Sequence, residues 1–234
     1  MTTPMQEQVA LASRVLASQG HDDLIWGHAS VRDPDGRGVW IKAAEWSLAE
    51  ITPERVHLVD GAGEVLAGTG NRHSEYPIHT EIMAARPDVG AVVHTHPPYA
   101  VALAATGQPL RAVSHAANMF VPPEVPRFTA TADLIITEEL GRQVAAELAE
   151  HTALFLVNHG IVVVGPDLPS ATVAAVVLER ACRQQLLTHS FGGWPTWSDS
   201  TESLAKRANI YSDRAVHAVW DHLVRQLPPQ TGQP

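Results

Sequence analysis

Two short, strongly apolar runs place the tightest limit on how this chain can fold. Residues 89–96 read VGAVVHTH, and residues 153–165 read ALFLVNHGIVVVG with a break at Asn158, His159 and Gly160. Apolar runs of about four to eight residues, rich in valine and isoleucine, are typical of strands that are buried on both faces. The sequence therefore predicts a central sheet that needs helices to cover it.

Helices and hairpins surround these strands along the sequence. The spacing of apolar residues and the positions of proline and glycine predict helices over residues 6–18, 75–85, 97–105, 168–187 and 202–226. Residues 28–42 and 55–68 each read as a β-hairpin with a glycine-containing turn. This order predicts a single α/β domain over residues 1–228, with a mostly antiparallel sheet between helix layers. Residues 229–234 read as a frayed tail.

Charge and cysteine content argue against several classes of function. Asp and Glu number 25 against 16 Lys and Arg, which gives a net charge of −9. Such a surface repels phosphate backbones and anionic lipids, so we expect no nucleic-acid partner and no membrane role. No run approaches the ~20 apolar residues of a membrane span. The single cysteine, Cys182, excludes an internal disulfide, is expected in the core, and is typical of a cytoplasmic protein.

Histidines are the most unusual feature of the composition, and there are 13 of them. His94 and His96 lie two residues apart at the end of a predicted strand, so their rings project from the same face. A third imidazole is available at His159, where Gly160 permits a tight turn. Three neutral imidazoles that leave coordination positions of the metal open for water or substrate are typical of a catalytic site for a divalent ion such as Zn²⁺. The alternative is that these histidines only bond to backbone groups at strand ends.

A second group, RHSEYPIHTEIM, lies just upstream at residues 72–83. Glu75 is predicted to open a helix, with Ser74 as its N-cap. A carboxylate close to a metal ion is suited to general acid–base catalysis. The alternative for Glu75 is a carboxylate that only stabilises the helix N-terminus. His79 lies on the same helical face as Glu75, and we expect it to be a packed or capping residue.

These motifs together resemble the class II aldolase/adducin family. The resemblance rests on S-E-x-P-x-H, V-H-T-H-P and N-H-G in that order, and it extends over residues 6–187. It implies an α/β/α sandwich that assembles into a homotetramer with active sites at subunit interfaces. It also implies one divalent ion per subunit, either Zn²⁺ or Mn²⁺, with Fe²⁺ and Co²⁺ as alternatives. The ligands would be His94, His96 and His159, and Glu75 would be the acid–base and, in some members, a further ligand.

The sequence departs from the sugar-phosphate aldolases of this family at their phosphate-binding loops. Those enzymes carry G-N-x-S and K-P-S-G, whereas this chain reads GHAS at residues 27–30 and KAAEW at residues 42–46. Glu45 and Trp46 are unsuited to cradling a phosphate dianion. Residues that we expect to bind a carboxylate or phenolic oxygen instead are His28, Ser30, Arg72, His73 and His115. Trp46 or Phe120 would stack on a ring.

The GHAS version of the loop is similar to the branch that contains decarboxylases of hydroxylated aromatic dicarboxylates. Examples are the enzymes that act on 3,4-dihydroxyphthalate and on 3-hydroxy-2-methylpyridine-4,5-dicarboxylate. The resemblance implies a metal-dependent decarboxylase with a small-molecule carboxylate substrate. One alternative is an aldolase for a non-phosphorylated hydroxy-keto acid or sugar acid, in which Tyr211 of a neighbouring subunit would donate a proton. A remote alternative is a structural module like the head of adducin.

Overall fold

A computed structural model describes residues 2–192 and 196–228, in which seven helices and eight strands are found. The helices are α1 Pro4–Leu16, α2 Tyr76–Ala85, α3 Pro98–Ala105, α4 Glu138–Leu148, α5 Leu168–Ser190, α6 Ser200–Ile210 and α7 Asp213–Arg225. The strands are β1 His28–Arg32, β2 Val39–Lys42, β3 Val56–Val59, β4 Val65–Ala67, β5 Ala91–Thr95, β6 Arg127–Phe128, β7 Ala153–Leu156 and β8 Gly160–Gly165. The predicted tail, residues 229–234, lies outside the described residues.

The strands form one mixed sheet in the order β4-β3-β2-β1-β5-β8-β7-β6. Only β6 and β7 pair in parallel among the described strands, and the other neighbours are antiparallel. The predicted mostly antiparallel sheet is therefore confirmed. The register places His28 of β1 directly opposite His94 of β5. Cross-strand partners in such a sheet project from the same face, so these two imidazoles are neighbours.

Alternating side chains build a core on each face of the sheet. In β5, Ala91 and Val93 belong to the core shared with α1, α3, α5 and α7, whereas Val92 belongs to the core shared with α2 and α4. The sheet thus lies between two helix layers, which confirms the predicted α/β/α sandwich. Cys182 is buried in α5, as expected. Within residues 2–192 and 196–228, no helix combines the length and apolar character needed to cross a bilayer.

Two local predictions are wrong, and one helix is missing from the predictions. The helix expected over residues 202–226 is two helices, because the Ser212 side chain accepts a hydrogen bond from the Ala215 N–H and starts α7 after a break at Tyr211. Ser74 does not cap α2, whose N-cap residue is Glu75 without a side-chain cap. Helix α4 was not predicted, although its N-cap residue Thr137 accepts a hydrogen bond from the Leu140 N–H.

Candidate metal centre

His94 and His96 direct one nitrogen each towards the same point at the end of β5. His94 Nδ1–H donates to the Ile161 carbonyl at 2.9 Å, and His96 Nδ1–H donates to Asp23 Oδ2 at 2.9 Å. A neutral imidazole that donates from Nδ1 carries its lone pair on Nε2. The two Nε2 atoms are 3.2 Å apart. Two lone pairs at this distance repel each other, and a cation bound to both nitrogens would remove that repulsion.

His159 completes the group from the turn between β7 and β8. Its ring centroid lies 5.0 Å from that of His94 and 5.3 Å from that of His96. Both of its ring nitrogens are buried without a hydrogen-bond partner among the described residues, which is costly unless another species binds them. One nitrogen from each of these three histidines lies within 4.8 Å of the others. This donor set fits a divalent ion that accepts imidazole nitrogen.

Gly160 is needed where this turn meets β5. A Cβ atom at this position would lie 2.6 Å from His96 Cδ2 and 3.2 Å from His94 Cε1. A side chain would therefore push the two rings away from their present positions, whereas glycine lets the backbone pass beside them.

Glu75 lies at the N-terminal end of α2, where it closes the opposite side of the group. Its Oε1 accepts a hydrogen bond from the Ile135 N–H at 2.9 Å and lies 3.5 Å from His159 Nε2. Its Oε2 lies 3.7 Å from His94 Nε2. Burial raises the pKa of the Glu75 carboxyl, although the Ile135 hydrogen bond opposes this shift. A buried carboxyl with a raised pKa is suited to holding and releasing a proton.

His94 and His159 are in the protonation state that metal binding requires. Burial lowers the pKa of His159 to about 4, and the nearby His96 ring contributes to this shift. Burial also holds the pKa of His94 well below its ordinary value, again with a contribution from His96. Both rings are therefore neutral at pH 7, and only a neutral ring offers a lone pair to a metal.

Two of the five predicted substrate-binding residues, His28 and His73, lie beside Glu75, and a third, Ser30, lies behind His28. The His28 Nε2 atom is 3.8 Å from Glu75 Oε2, and the His73 ring centroid is 3.9 Å from that of His28. Ser30 Oγ is 2.6 Å from His79 Nδ1. His79 is buried, as expected, but its other ring nitrogen also contacts His28 at 2.5 Å.

Arg72, His115 and Tyr211 make their contacts outside the histidine group. Arg72 Nε donates to the Gly63 carbonyl at 2.5 Å, and its guanidinium lies 4.3 Å from the centre of the Tyr76 ring. Tyr211 Oη donates to the carbonyl of exposed His115 at 3.1 Å. Within the described ranges, no hydrogen bond or ion pair joins these three residues to the histidine group. The two aromatic residues predicted to stack on a substrate have other neighbours, since Trp46 stacks under Arg55 and Phe120 packs in the core.

Two backbone amides of the KAAEW segment are not free to bind a phosphate. The Ala43 N–H donates to the Arg55 carbonyl at 2.8 Å, and the Ala44 N–H donates to the Asn71 carbonyl at 3.0 Å. Phosphate-binding loops depend on backbone N–H groups that point at the anion. The segment therefore lacks two of the donors that such a loop would use.

Asp23 was not found by sequence reasoning, although it fixes the orientation of His96. It lies in the segment before β1, 73 residues from its partner, and no motif marks it. A carboxylate that accepts the second N–H of a metal-binding histidine fixes the tautomer and raises the basicity of the ring.

We expect Asp23→Ala to weaken metal binding by about 10- to 100-fold, because His96 loses the partner that holds its Nδ1 proton. Competition with a chromogenic chelator measures this change. Asp23→Asn keeps an acceptor oxygen and should lose less affinity. Asp221→Ala is the matched control, because Asp221 is exposed on α7. Wild-type metal affinity in Asp23→Ala would contradict the assignment.

Comparisons with known proteins agree with this architecture. Residues 7–186 match the family described as the class II aldolase and adducin N-terminal domain. The chain is 34% identical over 173 residues to a 5-methylthioribulose-1-phosphate/5-deoxyribulose-1-phosphate aldolase of Rhodospirillum rubrum, covering 74% of this chain and 76% of that protein. It is 31% identical over 196 residues to a 3,4-dihydroxyphthalate decarboxylase of Rhodococcus jostii, covering 79% of this chain and 80% of that protein.

A solved structure of an aldolase II superfamily protein from Pseudomonas syringae superposes with a TM-score of 0.86 at 25% identity. The match covers 96% of this chain and 94% of that one. The family match spans most of the chain, and the relatives include lyases of two kinds, aldolases and decarboxylases. The chain therefore belongs to the class II aldolase and adducin family.

Proposed function

We propose that this protein is a divalent-metal-dependent carbon–carbon lyase that decarboxylates a hydroxylated aromatic dicarboxylate similar to dihydroxyphthalate. The observation that carries the proposal is the convergence of His94, His96 and His159 beside the buried carboxylate of Glu75. A decarboxylase needs an electron sink for the broken bond and a proton for the carbon that loses carbon dioxide, and this group supplies both.

The three histidines would hold the ion through one ring nitrogen each. A bound divalent ion supplies Lewis-acid stabilisation of the negative charge that develops on a substrate oxygen as the carbon–carbon bond breaks. Zinc, manganese, iron and cobalt all accept this ligand set, so the residues do not select among them. Asp23 and the Ile161 carbonyl would keep the His96 and His94 rings in their metal-binding orientation.

Glu75 would move the proton from its Oε2 atom. Oε1 is occupied by the Ile135 N–H, whereas Oε2 has no hydrogen bond within the described residues. The Oε2 proton adds to the ring carbon that carries the departing carboxylate. The carbon–carbon bond then breaks, its electron pair restores the aromatic ring, and carbon dioxide leaves. Glu75 recovers its proton from water.

The neighbouring polar residues favour a carboxylate substrate over a phosphate. His28 and His73 lie beside Glu75, and Ser30 lies behind His28. The Ala43 and Ala44 amides are already used within the protein. The similarity to a 3,4-dihydroxyphthalate decarboxylase supports the same substrate class. We include Arg72 as a candidate for the second carboxylate, on the basis of its charge.

We further propose a homotetramer with active sites at subunit interfaces. Leu24, Ile25 and Trp26 are exposed apolar residues that directly follow Asp23, so an apolar surface adjoins the candidate site. In such an assembly Tyr211 and His115 would serve the site of a neighbouring subunit. A monomer in sedimentation experiments would contradict this arrangement. The lone buried thiol of Cys182 is compatible with the cytoplasmic location that we propose.

The second candidate function is an aldolase for a hydroxy-keto acid or sugar acid. The 34% identity to the aldolase of Rhodospirillum rubrum favours it, and the same residues would stabilise the charge left by aldol cleavage. An adducin-like structural role without catalysis is disfavoured by three buried imidazoles that converge with a carboxylate.

A substrate panel separates these functions. We expect the metal-loaded enzyme to release carbon dioxide from 3,4-dihydroxyphthalate and none from phthalate, which lacks the hydroxyl groups needed as an electron sink. Chelator-treated enzyme is the second control. Release of an aldehyde from 4-hydroxy-2-keto acids, or from 5-deoxyribulose 1-phosphate, without any decarboxylation would overturn the decarboxylase proposal in favour of an aldolase. Failure to bind a divalent metal would overturn both.

A further inference from the structure

A chain of three fully buried polar side chains leads from the interior of the sheet to the candidate site. Ser30 Oγ lies 2.6 Å from His79 Nδ1, and His79 Nε2 lies 2.5 Å from His28 Nδ1. All three side chains are inaccessible to solvent. The far end of the chain, His28 Nε2, has no hydrogen-bond partner among the described residues and lies 3.8 Å from Glu75 Oε2.

One arrangement of protons satisfies every group in this chain except His28 Nε2. The Ser30 hydroxyl has no other acceptor among the described residues, so it donates to His79 Nδ1. A neutral His79 then donates from Nε2 to His28 Nδ1, and a neutral His28 must carry its proton on Nε2. Burial lowers the pKa of His79 to about 3, which keeps this ring neutral at pH 7.

The opposite arrangement of protons is less stable at both ends of the chain, at Ser30 and at His28. It would leave the Ser30 hydroxyl proton buried without an acceptor, which costs about 1–3 kcal/mol. It would also direct the lone pair of His28 Nε2 at Glu75 Oε2, 3.8 Å away, so that two acceptors would face each other once Glu75 has given up its proton. The chain of contacts therefore fixes the tautomer of His28.

We propose that Ser30 and His79 are positioning residues that hold His28 as its Nε2–H tautomer, so that His28 donates a hydrogen bond to a substrate oxygen beside Glu75. The role in substrate binding rests on the proposed function. It requires an acceptor on the substrate at this place, and an ionised carboxylate is the strongest such acceptor. The His73 ring, 3.9 Å away between centroids, restricts rotation of His28.

Nitrogen-15 NMR of histidine-labelled protein tests the tautomer directly and needs no substrate. In the wild-type protein we expect His28 to carry a protonated Nε2 and an unprotonated Nδ1, with its signals assigned by their loss in His28→Gln. His79→Gln retains an N–H that can donate to His28 and an oxygen that can accept from Ser30, so it should keep this tautomer. His79→Leu removes both contacts and should release His28 into a mixture of tautomers.

Kinetics provide the second measurement. We expect His79→Leu to raise KM for the dicarboxylate substrate by about 10- to 100-fold, as when a hydrogen bond to a charged group is lost. The effect on kcat should be smaller. His79→Gln should recover most of the loss. Ser30→Ala should change KM in the same direction and Ser30→Thr should restore it, which tests the proposal even when His79→Leu does not fold. Ser13→Ala is the matched control, because Ser13 is a buried serine whose hydroxyl donates to the Val9 carbonyl within α1.

A wild-type His28 protonated on Nδ1 would overturn the proposal. Unchanged His28 signals and KM in both folded His79→Leu and Ser30→Ala would do the same. If the Nε2–H tautomer is found but no substrate of the panel reacts, the proposed function fails, while the positioning role of Ser30 and His79 is supported.

Discussion

His96→Ala and His94→Ala should each abolish stoichiometric metal binding and reduce turnover to the level of the chelator-treated enzyme. Each substitution leaves two imidazoles where catalytic sites of this kind use three protein ligands. It also removes the electron sink, which is expected to lower the activation free energy of carbon–carbon cleavage by several kcal/mol. Metal analysis after gel filtration and the rate of carbon dioxide release measure the two effects.

Thermal unfolding separates loss of the metal from loss of the fold. A ligand at about 100 times its Kd stabilises the native state by about 2.7 kcal/mol, so added metal should raise the Tm of the wild-type protein. The Tm of the two variants should not respond to metal. His96→Ala is the cleaner test, because His96 is only half-buried whereas His94 is inaccessible and bonds to the Ile161 carbonyl.

His222→Ala is the matched control for these variants, since His222 is exposed on α7. It should retain metal, the response of Tm to metal, and activity. A His96→Ala protein that binds one equivalent of metal and turns over at the wild-type rate would remove the basis for a metal-dependent lyase.

Local sequence patterns were sufficient to predict that His94 and His96 share a face. That prediction depends only on the two-residue period of a strand. The approach of His159 could not be derived in this way, because it requires β8 to pair with β5 across a separation of almost seventy residues. The order of motifs in a known family supplied that information instead.

The residues that orient the histidines were missed for the same physical reason. Asp23 and His96 are 73 residues apart, and His28 and His79 are 51 residues apart. A short sequence window contains one partner of each pair but not the other. Patterns of apolar residues predict which segments pack together, but they do not predict which polar side chains meet at the surface between them.

The break at Tyr211 and the start of α2 illustrate a second limit. Ser212 starts a new helix inside a stretch with continuous amphipathic spacing, so the apolar pattern favoured one helix where the chain has two. Ser74 has the residue type of an N-cap, but the helix begins one residue later. The consequence is functional, because Glu75 then has a side chain that is not used for capping and is directed towards His94 and His159.

Glu75→Gln should retain most of the bound metal and lose about 10²- to 10⁴-fold in kcat, the range expected when a general acid is removed. Glutamine has nearly the same shape, and its Oε1 can still accept the Ile135 N–H, so the backbone contact survives. The amide cannot release a proton to the substrate. Pre-steady-state and steady-state rates of carbon dioxide release on the metal-loaded variant, with metal content determined on the same sample, measure this effect.

Glu179→Gln provides a closely matched control for Glu75→Gln. Glu179 is also buried, burial also raises its pKa, and its oxygens accept the backbone N–H groups of Tyr99 and Ala100 at the start of α3. Loss of its charge should lower thermal stability and leave kcat unchanged, because it takes no part in the histidine group. If Glu75→Gln kept the wild-type kcat, or if both variants lost kcat equally, proton transfer would have to be assigned to another residue.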